Sequence, residues 1–497
     1  MSRLPKTLSC SLCALAVGAG LLAPAAPAAT RLVIKGAGFG HGVGMSQYGA
    51  YGFALKGVGY KAILAHYYTG TRLGALTSSP DVTVLLRSSP TAAFTGASRI
   101  GDRRLDPRKV YSVKEKAGKV VLRSPTGRSL VAFGGPVRIS GPDAPIRLMG
   151  KGPNSVRDGL FRGALEFRPS GGKLLVINAL DLDSYLRGVV AAESPASWPQ
   201  DALRAQAVAA RTYALTTSAG GSQGFSQWPD TRSQVYNGVS SETPSTDTAV
   251  AATSRQVVTY LGKPIVAYFF STSGGKTENV ENGFPGASPQ PYLKGVVDPY
   301  DNTSPKHRWG PYRYTLARAQ RKLGGLVKGR LRGIKVTERG FSPRIVSADV
   351  IGSGGVTKVN GPTLRTRFGL FDSWATFTTI GAKVTTPTRA SSAGSRLRAA
   401  PRGGGASADV GRSLRAAALS AAAPSPTDAY RKVLSGHVAG AKDGDWIHVQ
   451  RKTRDGWSEA FWTTAAGANG RYRATLPGPG TYRVRWRGFV GPDVTAQ

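Results

Sequence analysis

The sequence predicts an α+β protein: a mixed domain with a β-rich subregion, then a flexible linker and a small β-sandwich. Three observations predict it. Apolar residues recur at helical spacing around residues 60–68, and an alanine-rich helical stretch covers 198–216. From 81 to 175, short alternating apolar runs are broken by Gly, Pro and Asp turns. After an aromatic-free basic stretch, the last residues, 430–497, alternate again. The chain has 497 residues, 40% of them hydrophobic, which excludes wholesale disorder. Sixty-four glycines argue against long coiled coils. A formal net charge of +38 favours anionic partners without choosing among them.

Residues 1–29 read as a secretory leader. Arg3 and Lys6 form a basic start, Leu8 to Leu22 an apolar core, and Ala26-Pro27-Ala28 a small-residue cleavage site. That core is shorter than the ~20 residues of a bilayer span. Cys10 and Cys13 both lie inside it, so the expected mature protein has no thiol, no disulfide and no Cys-ligated metal. Secretion and a strongly cationic surface follow as expectations.

In chain order, glycines at 36, 38, 40, 42 and 44 alternate around His41. Tyr60, Ile63, Leu64, Tyr67 and Tyr68 make one apolar helix face, with His66 off it. The β-rich subregion 81–175 follows, and Leu174 to Leu180 is apolar enough for a buried strand. A helix is predicted at Trp198–Thr216, with a capping box between Ser197 and Gln200 and Pro199 in its first turn. Gln256–Tyr260 and Ile265–Phe270, joined around Gly262, read as a hairpin leading into Ser271-Thr272-Ser273-Gly274-Gly275. Residues 381–429 are an Ala/Ser/Gly/Arg-rich linker, with a short helix near Leu414–Ala423. Trp446-Ile447-His448-Val449, Phe461-Trp462 and Tyr482-Arg483-Val484-Arg485-Trp486 supply strands for the tail.

Several chemistries fall away. There is no HExxH, and five scattered histidines make a zinc site unfavoured. The glycine run 36–44 lacks the Lys-Ser/Thr of a phosphate loop, and no strand leads into Gly220-Gly221-Ser222-Gln223-Gly224 as a nucleophile elbow requires. Among the scarce acids, Glu193 sits between Val, Ala and Pro, where desolvation raises a carboxyl's pKa and suits it to general-acid work. The same glutamate could instead cap the next helix or pair with an arginine. Arg204 and Arg211, seven apart, share a helix face that is either the cationic wall of a cleft or ordinary surface. Ser273-Gly274-Gly275 offers backbone N–H groups to an anion or sugar, or is a plain turn. His41 has both a structural and a catalytic reading.

Tyr185-Leu186-Arg187-Gly188-Val189-Val190-Ala191-Ala192-Glu193-Ser194-Pro195 with Ala202-Leu203-Arg204-Ala205-Gln206-Ala207-Val208-Ala209-Ala210-Arg211-Thr212-Tyr213 resembles the SpoIID/LytB (stage II sporulation protein D) family. Ser233-Gln234-Val235-Tyr236, Ser271-Thr272-Ser273-Gly274-Gly275-Lys276 and Pro291-Tyr292-Leu293-Lys294 fit it in the same order, and Gly40-His41-Gly42-Val43-Gly44-Met45-Ser46-Gln47-Tyr48-Gly49 is its other hallmark block. The resemblance spans residues 30–380. The Gly-His-Gly-Val-Gly-Met-Ser-Gln block stands at the expected mature N-terminus here, whereas many relatives carry it after the Tyr-Leu-Lys region.

The resemblance implies a peptidoglycan lytic transglycosylase, or else a non-catalytic enhancer of a cell-wall amidase. It matches Glu193 to the acid/base and Arg204, Arg211, Tyr292 and Lys294 to positions around a glycan cleft; Ser273, His41 and Gln47 are taken as further substrate-binding candidates. A two-carboxylate hydrolase would need Asp181 or Asp183 within ~5–9.5 Å of Glu193. Some relatives carry a zinc-linked histidine where this chain has Phe270, so no metal and no cofactor are expected. Candidate partners are glycan strands, anionic wall polymers and a cell-wall amidase, with no nucleic acid.

Overall fold

The computed structural model describes residues 29–141, 144–385, 432–467 and 469–497. They divide into two compact units, one of residues 32–377 and one made of the described residues on either side of that range. Apart from Ala29, the expected leader lies outside the described residues, and so does the helix expected near Leu414–Ala423. No helix among the described residues is long and apolar enough to cross a membrane.

The larger unit is α+β. Residues 81–181 build two six-stranded antiparallel sheets. One runs Ser129–Phe133, Lys119–Arg123, Tyr111–Lys116, Thr91–Thr95, Ile146–Lys151, Arg157–Phe161. The other runs Asp81–Ser89, Lys173–Asp181, Ala164–Ser170, Val137–Ser140, Arg99–Ile100, Arg103–Arg104. Val84, Phe94, Leu122, Phe167 and Val176 share one core between them. Leu174 to Leu180 are all buried because that strand has neighbours on both edges and cover on both faces.

Among the helices of this unit, five build the surroundings of the site: α1 (Gln47–Leu55), α2 (Tyr60–Tyr67), α3 (Leu182–Glu193), α4 (Gln200–Thr216) and α5 (Pro244–Ala252). In α2 the apolar face falls as expected, with Ile63, Leu64 and Tyr67 buried. The helix α3 is new relative to the sequence reading, which treated Val189–Glu193 only as an apolar segment. Its signals are nonetheless ordinary. Asp181 accepts the Ser184 N–H as N-cap, and Leu182, Tyr185, Leu186, Val189 and Val190 form its buried face. Gly188 is required by packing, since a Cβ there would lie 2.6 Å from the Tyr236 ring.

Helix α4 begins at Gln200, with Pro199 as the extended N-cap residue. The expected capping box does not form; the Gln200 amide is bound by Ser245 instead. With Ala205, Ala207, Ala209 and Ala210 all buried, α4 is the central helix against which α1, α2, α3 and α5 pack. The expected hairpin is also shorter than predicted. Gln256–Tyr260 pairs with Lys263–Pro264, but Phe269–Phe270 leaves to pair in parallel with Met45–Ser46.

In the smaller unit, Val433–Val438 lies between residues 380–385 and Arg471–Thr475. Residues 381–385, counted with the linker on sequence, are therefore strand. A second sheet runs Gly456–Thr464, Trp446–Thr453, Gly480–Trp486, Phe489–Val490, with Val494–Ala496 paired to Gly480–Trp486.

Candidate active site around Glu193

Glu193 is the last residue of α3 and is half-buried. Its Oε1 accepts the Val235 backbone N–H at 2.8 Å, and its Oε2 accepts the Gln47 side-chain amide at 3.1 Å. Burial pushes its pKa up, and these two hydrogen bonds offset part of that rise. A helix C-terminus, with its partial negative charge, also disfavours an ionised carboxylate. The neutral dipoles around it leave the carboxyl able to exist in either protonation state.

Each of the two donors is held by local structure. In Ser233-Gln234-Val235-Tyr236 the Gln234 side chain bonds Tyr185 Oη and the Ala210 carbonyl, while Tyr236 Oη donates to Asn178 at 2.7 Å. Both side chains point inward, so the backbone between them can present the Val235 N–H to Glu193. Gln47 opens α1, where the Ser46 hydroxyl caps the Gly49 N–H. Gly49 faces the Tyr67 hydroxyl and the Asp298 carboxylate so closely that a Cβ would clash with both. Trp198, stacked on Tyr51 at 4.8 Å and edge-on to Tyr48 at 5.2 Å, ties α1 to the start of α4. The N-terminal block thus reaches Glu193 across 146 residues of sequence.

The other predicted residues separate into distinct roles. His41 Nδ1 accepts the Val43 N–H, which leaves Nε2–H to donate to the Phe269 carbonyl at 3.1 Å. Burial among Tyr268, Phe270 and Phe284, aided by the Arg365 and Arg344 charges, pushes His41 down to about 3. It is a neutral, packed histidine.

Arg211 corrects the expectation of a cationic cleft wall. It is fully buried, donating to Asp183 at 3.0 and 2.8 Å and to the Val250 and Gln256 carbonyls. Its α4 face meets α3 and α5 rather than solvent. Arg204, on the same helix, is partly exposed and 3.8 Å from Asp201.

The Ser273 loop is also occupied from within. Asp301 accepts the Gly274 N–H, and Ser273 Oγ accepts the Gly275 N–H. Those N–H groups are therefore not offered to a ligand. Tyr292 is half-buried against Tyr260 at 5.6 Å, and Lys294 is exposed.

Sequence reasoning missed the Arg344–Asp372 pair, both buried, whose guanidinium also binds the Ser273 and Lys276 carbonyls and so fixes that loop. It missed Asp298 as well, a fully buried carboxyl that burial and Asp301 push up to about 6. Isolated Arg and Asp residues carry no local signal for either role. Among the described residues, no three His, Cys, Asp or Glu side chains group as a metal site would need.

Asp181 and Asp183 are both placed away from Glu193. Asp181 caps the N-terminus of α3, and Asp183 lies in its first turn, ten residues before Glu193. At about 1.5 Å of rise per residue, that is about 15 Å along the helix. Neither aspartate can be the second carboxylate of a hydrolase pair.

Residues 170–260, which contain α3, α4 and the Val235 loop, match the family model for the stage II sporulation protein SpoIID. The chain is 36% identical over 230 residues to the stage II sporulation protein D of Bacillus subtilis (strain 168), covering 43% of this chain and 65% of that relative. An uncharacterized protein of Brachyspira hyodysenteriae is 39% identical over 138 residues, covering 27% of this chain and 37% of its own length. The amidase enhancer of Bacillus subtilis (strain 168) is 40% identical over 117 residues, 23% of this chain and 15% of the enhancer. The chain thus spans less than two thirds of each of these relatives. No solved structure matches it. The SpoIID segment holds Glu193, Arg204 and Arg211, whereas Gln47 reaches the carboxyl from outside it.

Proposed function

We propose that the protein is a lytic transglycosylase of peptidoglycan, with Glu193 as its single acid/base. The observation that carries this reading is the Glu193 carboxyl itself: half-buried, free of a cationic partner among its hydrogen bonds, and held by the Val235 N–H and the Gln47 amide. Its raised pKa suits a group that must give a proton and then take one. Protonated Glu193 donates to the glycosidic oxygen as the bond from the muramyl anomeric carbon breaks. The C6 hydroxyl of the same N-acetylmuramic acid attacks that carbon. Its proton returns to Glu193, leaving a 1,6-anhydro end and consuming no water. Such chemistry needs no second carboxylate, and the separation along α3 withholds Asp181 and Asp183 from that role. The leader-like residues 1–29 and the net charge of +38 support secretion and retention at an anionic cell wall.

A second reading is a glycan-binding enhancer of a cell-wall amidase, favoured by the likeness to the Bacillus amidase enhancer. One experiment separates them. Residues 30–497 and the Glu193→Gln form are incubated with intact and peptide-stripped glycan strands, and released sugars are analysed by mass spectrometry. Anhydro-muramyl ends from the wild type alone are expected. Glycan binding without product from either form would replace the enzyme by the enhancer.

A further inference from the structure

The smaller unit has a sheet face that the proposed reaction does not use. In its second sheet, Ile447, Val449, Tyr482, Val484 and Trp486 turn inward and are buried. Strand alternation sends Trp446, His448, Trp462 and Arg485 to the opposite side. There Trp446 is 62% exposed and Trp462 50%, their rings edge-to-face at 6.2 Å. His448 lies directly across from Trp462 with ring centroids 3.4 Å apart, and its Nδ1 is 2.9 Å from Glu459. On its other side, His448 is paired in register with Arg485.

Two indoles left half in water forgo the hydrophobic gain that packing could have supplied. Indoles are also amphipathic platforms, apolar on the ring face with a polar N–H at the edge. Arg485 shares their face, and the unit around them is cationic. Residues 432–497 contain ten Lys/Arg against five Asp/Glu. At the hairpin end of the same two strands, Arg451, Lys452 and Arg454 line a shallow depression.

We infer that this face binds a carboxylate-bearing glycan strand, with the Trp446 and Trp462 indoles stacked on sugar rings and the flanking arginines on its carboxylates. Stacking on consecutive ring faces selects a polymer of pyranoses over a polyol-phosphate polymer, which lacks them. The cationic flank selects an acidic glycan over a neutral one. That the strand is peptidoglycan rests on the reading proposed above; the aromatic face does not.

The test uses the full chain carrying Glu193→Gln, so that bound glycan is not cut. Sedimentation with insoluble peptidoglycan stripped of phosphate polymers should show a Trp446→Ala/Trp462→Ala form binding about tenfold or more weakly. A Trp446→Tyr/Trp462→Tyr form keeps the rings and should bind nearly as well, and thermal melts check that both fold. Amidating the glycan carboxyls should weaken the parent chain as well. Unchanged binding by the alanine form, indifference to amidation, or binding that vanishes once phosphate polymers are stripped would each overturn the proposal. The alanine pair placed in the Glu193 parent should cleave short soluble strands at the wild-type rate. A chain that binds through these indoles yet cleaves nothing would sink the proposed reaction and leave the binding face standing.

Discussion

Asp183 and Glu193 stand ten positions apart on one twelve-residue helix, α3, and the fold gives them opposite surroundings. One Asp183 oxygen accepts two N–H bonds from the fully buried Arg211 guanidinium, and Ser254 donates to the other oxygen at 2.6 Å. Glu193 meets only dipoles, one backbone N–H and one amide. Burial lowers the Arg211 pKa and the Asp183 charge restores it in part. At the other end burial raises the Glu193 pKa with no opposing cation among the causes. A carboxylate paired with a buried cation serves structure. One held by neutral dipoles keeps both protonation states within reach and can do proton chemistry.

The largest expected effect tests the Glu193 end. Glu193→Gln keeps shape and packing but removes the proton, so the rate of anhydro-end formation should fall about a thousandfold. Its melting temperature should stay near the wild type's. A variant that remains active would place the chemistry elsewhere. At the other end, Arg211→Met strands Asp183 beside buried carbonyls and should cost about 3–5 kcal/mol in denaturant unfolding. A loss under about 1 kcal/mol, the range of an exposed pair, would remove the contrast between the two ends.

His41 sharpens the comparison as a titratable group with no proton role. Its folded pKa of about 3 lies below the ordinary 6.5, so the unfolded chain binds the proton first as pH falls. The stability it contributes is complete above pH 6.5 and is lost on going down toward 3. Replacement by Gln should flatten that part of the melting-temperature profile without moving the pH profile of the rate. The finest test is Gln47→Leu. Loss of a donor that favours ionised Glu193 raises its pKa further, so the decline of kcat/KM with rising pH should move upward. An unmoved profile would detach Gln47 from the acid.

Local pattern made much of this legible. The apolar face of α2 and the buried strand through Leu174–Leu180 both follow from spacing and neighbours. The cap and apolar repeat of α3 were present too, but Val189–Ala192 disguised a helix as an apolar run. Arg204 and Arg211 show the limit of such patterns. Their spacing puts them on one side of α4, yet α3 and α5 cover only the Arg211 end. Ser273 shows it again, since Asp301 and Arg344 fill the loop that glycines left open.

By itself, the sequence determined the α+β class, the alternation that builds the two large sheets and the apolar setting of Glu193. Those depend on neighbours within a few residues, where helix and strand periodicities decide which side chains share a face. Only the tertiary structure decided that Gln47 meets Glu193 from 146 residues away, that Arg211 closes an internal ion pair, and that two tryptophans of the tail stay in water. Burial and charge pairing are properties of what lies across a packed interface, and no local spacing encodes them.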